Sequence, residues 1–429
     1  MTREEALRRI HRAAEENLTE LDFAGLELEE LPPEIGKCTQ LETLVLGKVN
    51  RWSMEADGKW TPLPITNQLT ALPDELRGLE NLRTIDLSSN PFGTIPELLL
   101  EMKQLESLNL TDIGLTEIPD AISKLSNLIK LNLHNNQIAQ IPDTIQQLSN
   151  LTELSLWNNQ IAQIPDALEK LCEALAQLSN LTKLNLCHNQ IVQIPDALVQ
   201  LSQLRELNLS SNQITEIPEA LVQLPNLTHL DLGGNQIAQV PDALAKLCET
   251  LVQLPNLTKL NLSDNQIAQI PDALAKLCEI LVQLPNLTDL DLSGNQIAQV
   301  PYAIGKLCEA LVQLPNLTKL NLSVNQIAQI PDAIGQLPNL RQLYLSGNQI
   351  AQIPDLLAQL LNLSWLQLGN NQITQIPDAI GKLCNLRGLG LNNNQITQIP
   401  DEIGQLSNLS SLTLLDRKAS CRERVLMPV

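Results

Sequence analysis

Large aromatic side chains are scarce: the 429 residues include two Phe, two Tyr and four Trp. A core with so few rings must be assembled from small aliphatic layers repeated many times, so it grows in one dimension. Positive charge is also short, with 28 Lys and Arg against 48 Asp and Glu and a formal net charge of −20. Such a surface repels phosphate backbones and anionic lipid, so neither nucleic acid nor membrane is an expected partner. No run reaches the ~18 uncharged apolar residues of a membrane span. The opening MTREEALRRIHRAAEENLTEL carries charges throughout, unlike an export signal. Cysteine pairs are missing: Cys38, Cys172, Cys187, Cys248, Cys278, Cys308, Cys384 and Cys421 include no C-x-x-C. That scatter fits free thiols and a cytoplasmic location. The four histidines are dispersed, and neither H-E-x-x-H nor G-x-S-x-G occurs. No catalytic residue, cofactor or metal is therefore expected.

What fills the chain is one pattern. Leu181-Thr-Lys-Leu184-Asn-Leu186-Cys-His-Asn189-Gln-Ile191 reads L-x-x-L-x-L-x-x-N-x-I. The asparagine recurs at 90, 136, 159, 189, 212, 235, 265, 295, 325, 348, 371 and 394. Leu26, Val49 and Ile113 stand in that slot in degenerate copies, and Arg417 falls where a further copy would put it. Spacings are 23 or 30 residues, except for 41 between positions 49 and 90. Leu184 and Leu186 alternate with polar residues, as in a half-buried strand. The asparagine carries donors and an acceptor suited to buried backbone in the following turn. Ile-Pro-Asp-Ala-Leu then predicts a short helix with Pro at its first position and Asp favourable to its dipole.

The fold expected is α/β: a leucine-rich repeat solenoid, or horseshoe, of about 15–16 repeats, with an inner parallel sheet and outer short helices. Four repeats carry seven extra residues after Asp166, Asp242, Asp272 and Tyr302. Seven residues are close to two helical turns, so Leu244, Leu247, Leu251 and Leu254 stay on one face of a lengthened outer helix. Residues 1–17 read as an amphipathic helical cap, with Ala6, Leu7, Ile10 and Ala14 on one side, and 18–415 as the solenoid. Eighteen additional residues near 48–66 contain Trp52 and Trp60 around Asp57-Gly58, a hairpin turn signal. Residues 416–429 break the pattern. Asp416 through Val425 match one reading of a common sequencing adapter with one adenine lost, which implies a natural protein that continues further. The alternative is a short basic tail.

The motif running from Asn325 to Leu340, N-Q-I-x-x-I-P-D-x-I-G-x-L-x-N-L, resembles the 23-residue intracellular class of leucine-rich repeats found in Ras-pathway scaffolds. Glu20-Leu-Asp-Phe-Ala-Gly-Leu26, Leu31-Pro-Pro-Glu-Ile-Gly36 and Leu44-Val-Leu-Gly-Lys48 resemble the amino-terminal repeats of bacterial Roco-type proteins. The second resemblance implies a GTPase domain after the repeats. No G-x-x-x-x-G-K-[ST] loop is present, since Gly305-Lys306 and Gly381-Lys382 lack the rest of the motif.

The class implies a protein-binding module that uses the inner face. Six of the chain's aromatic and histidine side chains fall around the strand leucines: His134, Trp157, His188, His229, Tyr344 and Trp365. Rings at such positions have the profile of binding hot spots, although drift at tolerant surface positions would look the same. Trp52 and Trp60 are added as hairpin candidates. One column reads Lys130, Glu153, Lys183, Glu206, His229, Lys259, Asp289, Lys319, an alternation expected to neutralise itself. A carboxylate follows the turn proline in fourteen repeats, which helix-dipole complementation explains without calcium. Cys248, Cys278 and Cys308 recur every 30 residues on neighbouring helices, too far apart to bridge or share zinc. Two rival functions stay open: the recognition region of a larger signalling enzyme such as a Roco-type GTPase, and a passive structural spacer.

Overall fold

The computed structural model describes residues 2–54, 60–161, 174, 177–194, 198, 200–216, 221, 223–237, 254–265, 267, 284–297, 311 and 313–414. Side chains at 50–54 and 60–64 are outside that description. So are the seven-residue additions, Cys172, Cys248, Cys278 and Cys308, and the tail from 415. The chain divides into two compact units, Met1–Ile214 with Ala220–Leu227, and Thr215–Glu219 with Thr228–Val429.

The first unit begins with α1 (Thr2–Glu16). Ala6, Ile10 and Ala13 are buried, whereas Arg9 and Arg12 pair with Glu5 and Glu16 at 2.8 and 3.0 Å on the wet side. Asn17 ends the helix in the left-handed region (φ 54°), a conformation that asparagine tolerates better than most residues. Strands follow at β1 (Glu20–Asp22), β2 (Thr43–Met54), β3 (Trp60–Ile65), β4 (Thr84–Leu87) and β5 (Ser107–Asn109). They continue as β6 (Lys130–Asn132), β7 (Glu153–Ser155), β8 (Lys183–Asn185) and β9 (Glu206–Asn208). All but β3 pair in parallel, in register from repeat to repeat. The second half of β2 turns antiparallel against β3.

The second unit repeats the plan with β10 (His229–Asp231), β11 (Lys259–Asn261), β12 (Asp289–Asp291) and β13 (Lys319–Asn321). It ends with β14 (Gln342–Tyr344), β15 (Trp365–Gln367), β16 (Gly388–Gly390) and β17 (Ser411–Thr413). These too form a parallel sheet. In both units the central strand leucine and the leucine after it point into the core; Leu154, Leu156, Leu290 and Leu292 are at most 2% exposed. In each unit, parallel in-register strands around aliphatic layers of this kind make a leucine-rich repeat solenoid.

The outer connections differ from the expected helices. Most described repeats carry a single 3-10 turn of five residues, such as Asp143–Gln147 and Asp332–Gln336. Pro33 opens the turn Pro33–Lys37, but in the other described turns proline does not occupy the first position. Pro142 and Pro331 sit one residue earlier with extended ψ near 145° and 142°, and the aspartate opens the turn. Their carbonyls accept from Ile145 and Ile334, so each turn closes with i→i+3 bonds. Five residues hold a single turn, the length at which 3-10 bonding is common and an α-helix has little to gain from propagation. Glu97–Glu101 forms one α-helical turn instead, α2, with three consecutive leucines buried.

Two asparagine ladders tie neighbouring repeats together. In the motif slot, Asn295 Oδ1 accepts from the backbone N–H of Asn265 and Ile267, and Nδ2 donates to the carbonyls of Leu262, Leu292 and Ser293. Asn136, Asn159, Asn189, Asn325 and Asn371 are used in the same way. The slot assigned above to Val49 is filled by Asn67, 0% exposed, which accepts from Leu28 N–H and donates to the carbonyls of Phe23 and Leu46. The hairpin intervenes before the slot, so counting from the strand lands eighteen residues early. The second ladder was not foreseen. Asn127, Asn150, Asn339 and Asn362 each donate Nδ2 to a carbonyl one repeat back, at 3.0, 3.0, 2.6 and 3.0 Å.

Candidate functional site

On the sheet face opposite the core, the residues flanking each strand leucine stack into columns because the strands are in register. In the first unit one column is ionic. Glu153 Oε1 lies 3.2 Å from Lys130 Nζ and 4.0 Å from Lys183 Nζ, and Lys183 reaches Glu206 at 3.3 Å. All four side chains are partly solvated, so each contact is weak, and their sum leaves no net charge on the column. A neighbouring ladder is also self-satisfied: Ser89 and Asn135 donate to the two oxygens of Asp112, at 3.0 and 2.7 Å, and Asn158 donates to Asn135.

Between these rims lie three rings. His134 meets Trp157 edge-to-face with centroids 5.3 Å apart, and Trp157 meets His188 at 6.2 Å with planes inclined by 61°. Such geometry places a ring edge against a π face, its favourable arrangement. Trp157 is half-buried, so the indole is neither core nor fully wet. His134 Nε2 makes a short contact with Ser155 Oγ. Burial lowers the His134 pKa to about 4 and lowers that of His188 as well, so both imidazoles are neutral at ordinary pH. His188 stands one residue beyond the column of His134 and Trp157, at a left-handed turn position (φ 51°), and its ring leans back to the indole. Cys187, the residue in column, is buried.

The other candidates do not join this cluster. In the second unit, His229 is in register with Lys259, and its Nδ1 lies 2.8 Å from Thr228 Oγ1. The Lys319 ammonium sits 5.8 Å above the centre of the Tyr344 ring, whose hydroxyl donates to Gln342 Oε1 at 3.0 Å. Trp365 lies across Gly388, where a Cβ would collide with its ring, and Gln367 lies likewise across Gly390. The sequence signal for this was the strand Gly388-Leu389-Gly390, in which glycine replaces both exposed residues. Trp52 and Trp60 belong to the β2–β3 pair, with Trp52 opposite Pro62 and Met54 opposite Trp60.

Burial raises the pKa values of Asp231 and Asp264 in the second unit, with Asp291 adding like-charge repulsion. Among the described residues no group of three His, Cys, Asp or Glu could hold a metal, and no helix is long and apolar enough to cross a membrane. Cys38 and Cys384 are free thiols, and Cys187 Sγ accepts from Ser210 Oγ at 3.0 Å.

A solenoid of in-register strands with an asparagine rung in most turns defines a class of repeat protein. Family models agree: "Leucine-rich repeat region" matches residues 62–269, and "Leucine Rich repeats (2 copies)" matches 255–303, 315–358 and 361–403. The solved structure of the LRR protein LIC12759 from Leptospira interrogans is 33% identical, with 95% of this chain and 94% of that one aligned at a TM-score of 0.70. The chain belongs to the leucine-rich repeat family. The functional domain of InlJ from Listeria monocytogenes, which includes a cysteine ladder, shares the fold at 20% identity, a TM-score of 0.57, and coverage of 88% of this chain and 74% of that one. No curated protein matches.

Proposed function

We propose that the chain is a protein-interaction module or scaffold, and that its partner docks on the sheet face around His134, Trp157 and His188. The observation that carries this reading is the ring cluster, which joins residues from three consecutive repeats. A half-buried indole held by two neutral imidazoles and bordered by satisfied polar ladders offers apolar area without unpaired charge. Interfaces concentrate their energy in such centres. His229, Tyr344, Trp365 and the Trp52/Trp60 ribbon are proposed as further contacts. A cytoplasmic location belongs to the same reading. The Roco-type resemblance adds a separate proposal, a GTPase encoded downstream, which sequencing of the gene past Leu414 would test.

The test is affinity capture with wild type and Trp157→Ala, with bound proteins identified by mass spectrometry and thermal melts run alongside. Loss of a specific band with an unchanged melt is expected. Identical capture profiles would remove the cluster from the site, and the absence of any specific partner would favour the spacer.

A further inference from the structure

We propose that the ring cluster of the first unit receives a cationic side chain, arginine or lysine, from a basic segment of the partner, an inference that rests on the cluster being the docking site. Three observations carry it. The chain as a whole carries a formal charge of −20, so a basic surface is the one it attracts from a distance. Among the described residues, the cations on the rim of the cluster are paired. Lys130 and Lys183 are matched by Glu153 and Glu206, and Asp112 stands on the opposite rim as the acceptor of Ser89 and Asn135. The flanking imidazoles are neutral. Finally, the protein makes this contact itself elsewhere: the Lys319 ammonium lies over the Tyr344 ring on the corresponding face of the second unit. Indole attracts a cation more strongly than phenol does, because its π face is richer in electron density. A partner that brings its own guanidinium or ammonium to Trp157 would repeat that contact across an interface.

The same features disfavour an acidic partner, which would meet the long-range field unfavourably. They also separate this inference from a purely apolar anchor. An aliphatic side chain would gain from any large apolar residue at position 157, whereas a cation needs the π face.

The probe is a fluorescein-labelled twelve-residue peptide of alternating Gly and Arg, compared with its citrulline copy, which has nearly the same shape and no charge. A third peptide, alternating Gly and Leu, reports apolar binding. Anisotropy titrations use the full chain, Trp157→Leu, and a charge control, Asp332→Asn with Asp355→Asn, which removes two carboxylates from outer turns. The arginine peptide is expected to bind, and Trp157→Leu to weaken it about fivefold, the equivalent of ~1 kcal/mol for a cation over indole. The charge control should change it less than about twofold, as expected for screened, distant charges. The citrulline copy should bind at least as weakly as the Trp157→Leu combination. An arginine peptide that does not bind, or one indifferent to Trp157→Leu, overturns the proposal. So does a citrulline copy that binds equally well. If the leucine peptide alone binds and depends on Trp157, the docking site stands and only its cationic occupant falls. If no peptide depends on Trp157 and the capture profile is also unchanged, both fall together. Thermal melts of each variant exclude unfolding as the cause.

Discussion

Asn295 shows how much one side chain can do in this fold. It is 0% exposed, and its amide satisfies five backbone groups, two in its own repeat and three in the one before. Asn295→Ala should therefore destabilise the protein by ~1–3 kcal/mol, the cost of leaving buried polar groups unpaired. The exposed Gln372→Ala, assayed in the same chemical denaturation series, should cost much less; equal losses would mean the ladder is not what the amide holds. Val324 presents the opposite case. It occupies the left-handed position before Asn325 with φ 53° and is 65% exposed, a conformation that a β-branched residue tolerates poorly. Other repeats put Asn135, Asn158, Asn370, Asn393 or a glycine there. Val324→Asn should stabilise by ~1 kcal/mol through relief of that strain, read as a raised melting temperature. His134 adds a pH dependence. Its pKa falls from 6.5 to about 4 on folding because the ring is buried. The unfolded chain takes up a proton from near pH 6.5 downward, and the folded chain does so only near 4. The stability owed to the neutral ring is thus complete above about 6.5 and is lost as pH falls through 4. His134→Gln should shrink the drop in melting temperature between pH 7 and 4.5; an unchanged drop would assign it to other groups.

At the scale of elements, the strands were readable because burial on one face imposes strict alternation, and Leu184 and Leu186 could point nowhere else. The turn type was not readable. Pro-Asp-x-Ile is compatible with an α-helix or a 3-10 turn, and the choice depends on how few residues remain before the next repeat begins. Asn67 escaped for a different reason: it lies beyond an insertion whose position within the repeat cannot be fixed by counting. The second asparagine ladder escaped because its residues are exposed at the surface, where sequence offers no reason to assign a structural bond. Of the candidate site, the nearness of His134, Trp157 and His188 followed from strand spacing across three consecutive repeats, whereas the left-handed turn position of His188 did not. Nor did the covering of β16 by Trp365, although Gly388 and Gly390 were there to be read. Gly388→Val should displace the Trp365 ring, red-shift its fluorescence and cost ~1–3 kcal/mol, as overpacking does. An unshifted emission spectrum would show that the indole has room elsewhere.

At the scale of the whole chain, stability is a sum of local repeat energies and nearest-neighbour terms. Deleting residues 349–371, one period between Asn348 and Gln372, should leave a folded protein with a lower melting temperature and an unchanged circular dichroism per residue. A collapse to an unfolded spectrum would show that this repeat has a unique role. The asparagine rungs make such surgery possible. Asn212 reaches back 26 residues to Leu186 and Asn189 reaches back 33 residues to Leu156, yet both bonds are 3.0 Å long. A period lengthened by seven residues is invisible to the rung, because the strand and its turn set the geometry and the outer connection only has to return. Each repeat offers its predecessor the donors and acceptors that it demands of its successor. A gene can therefore lengthen or shorten by unequal crossing-over within the array, in units of either size, without orphaning a buried amide at the new junction.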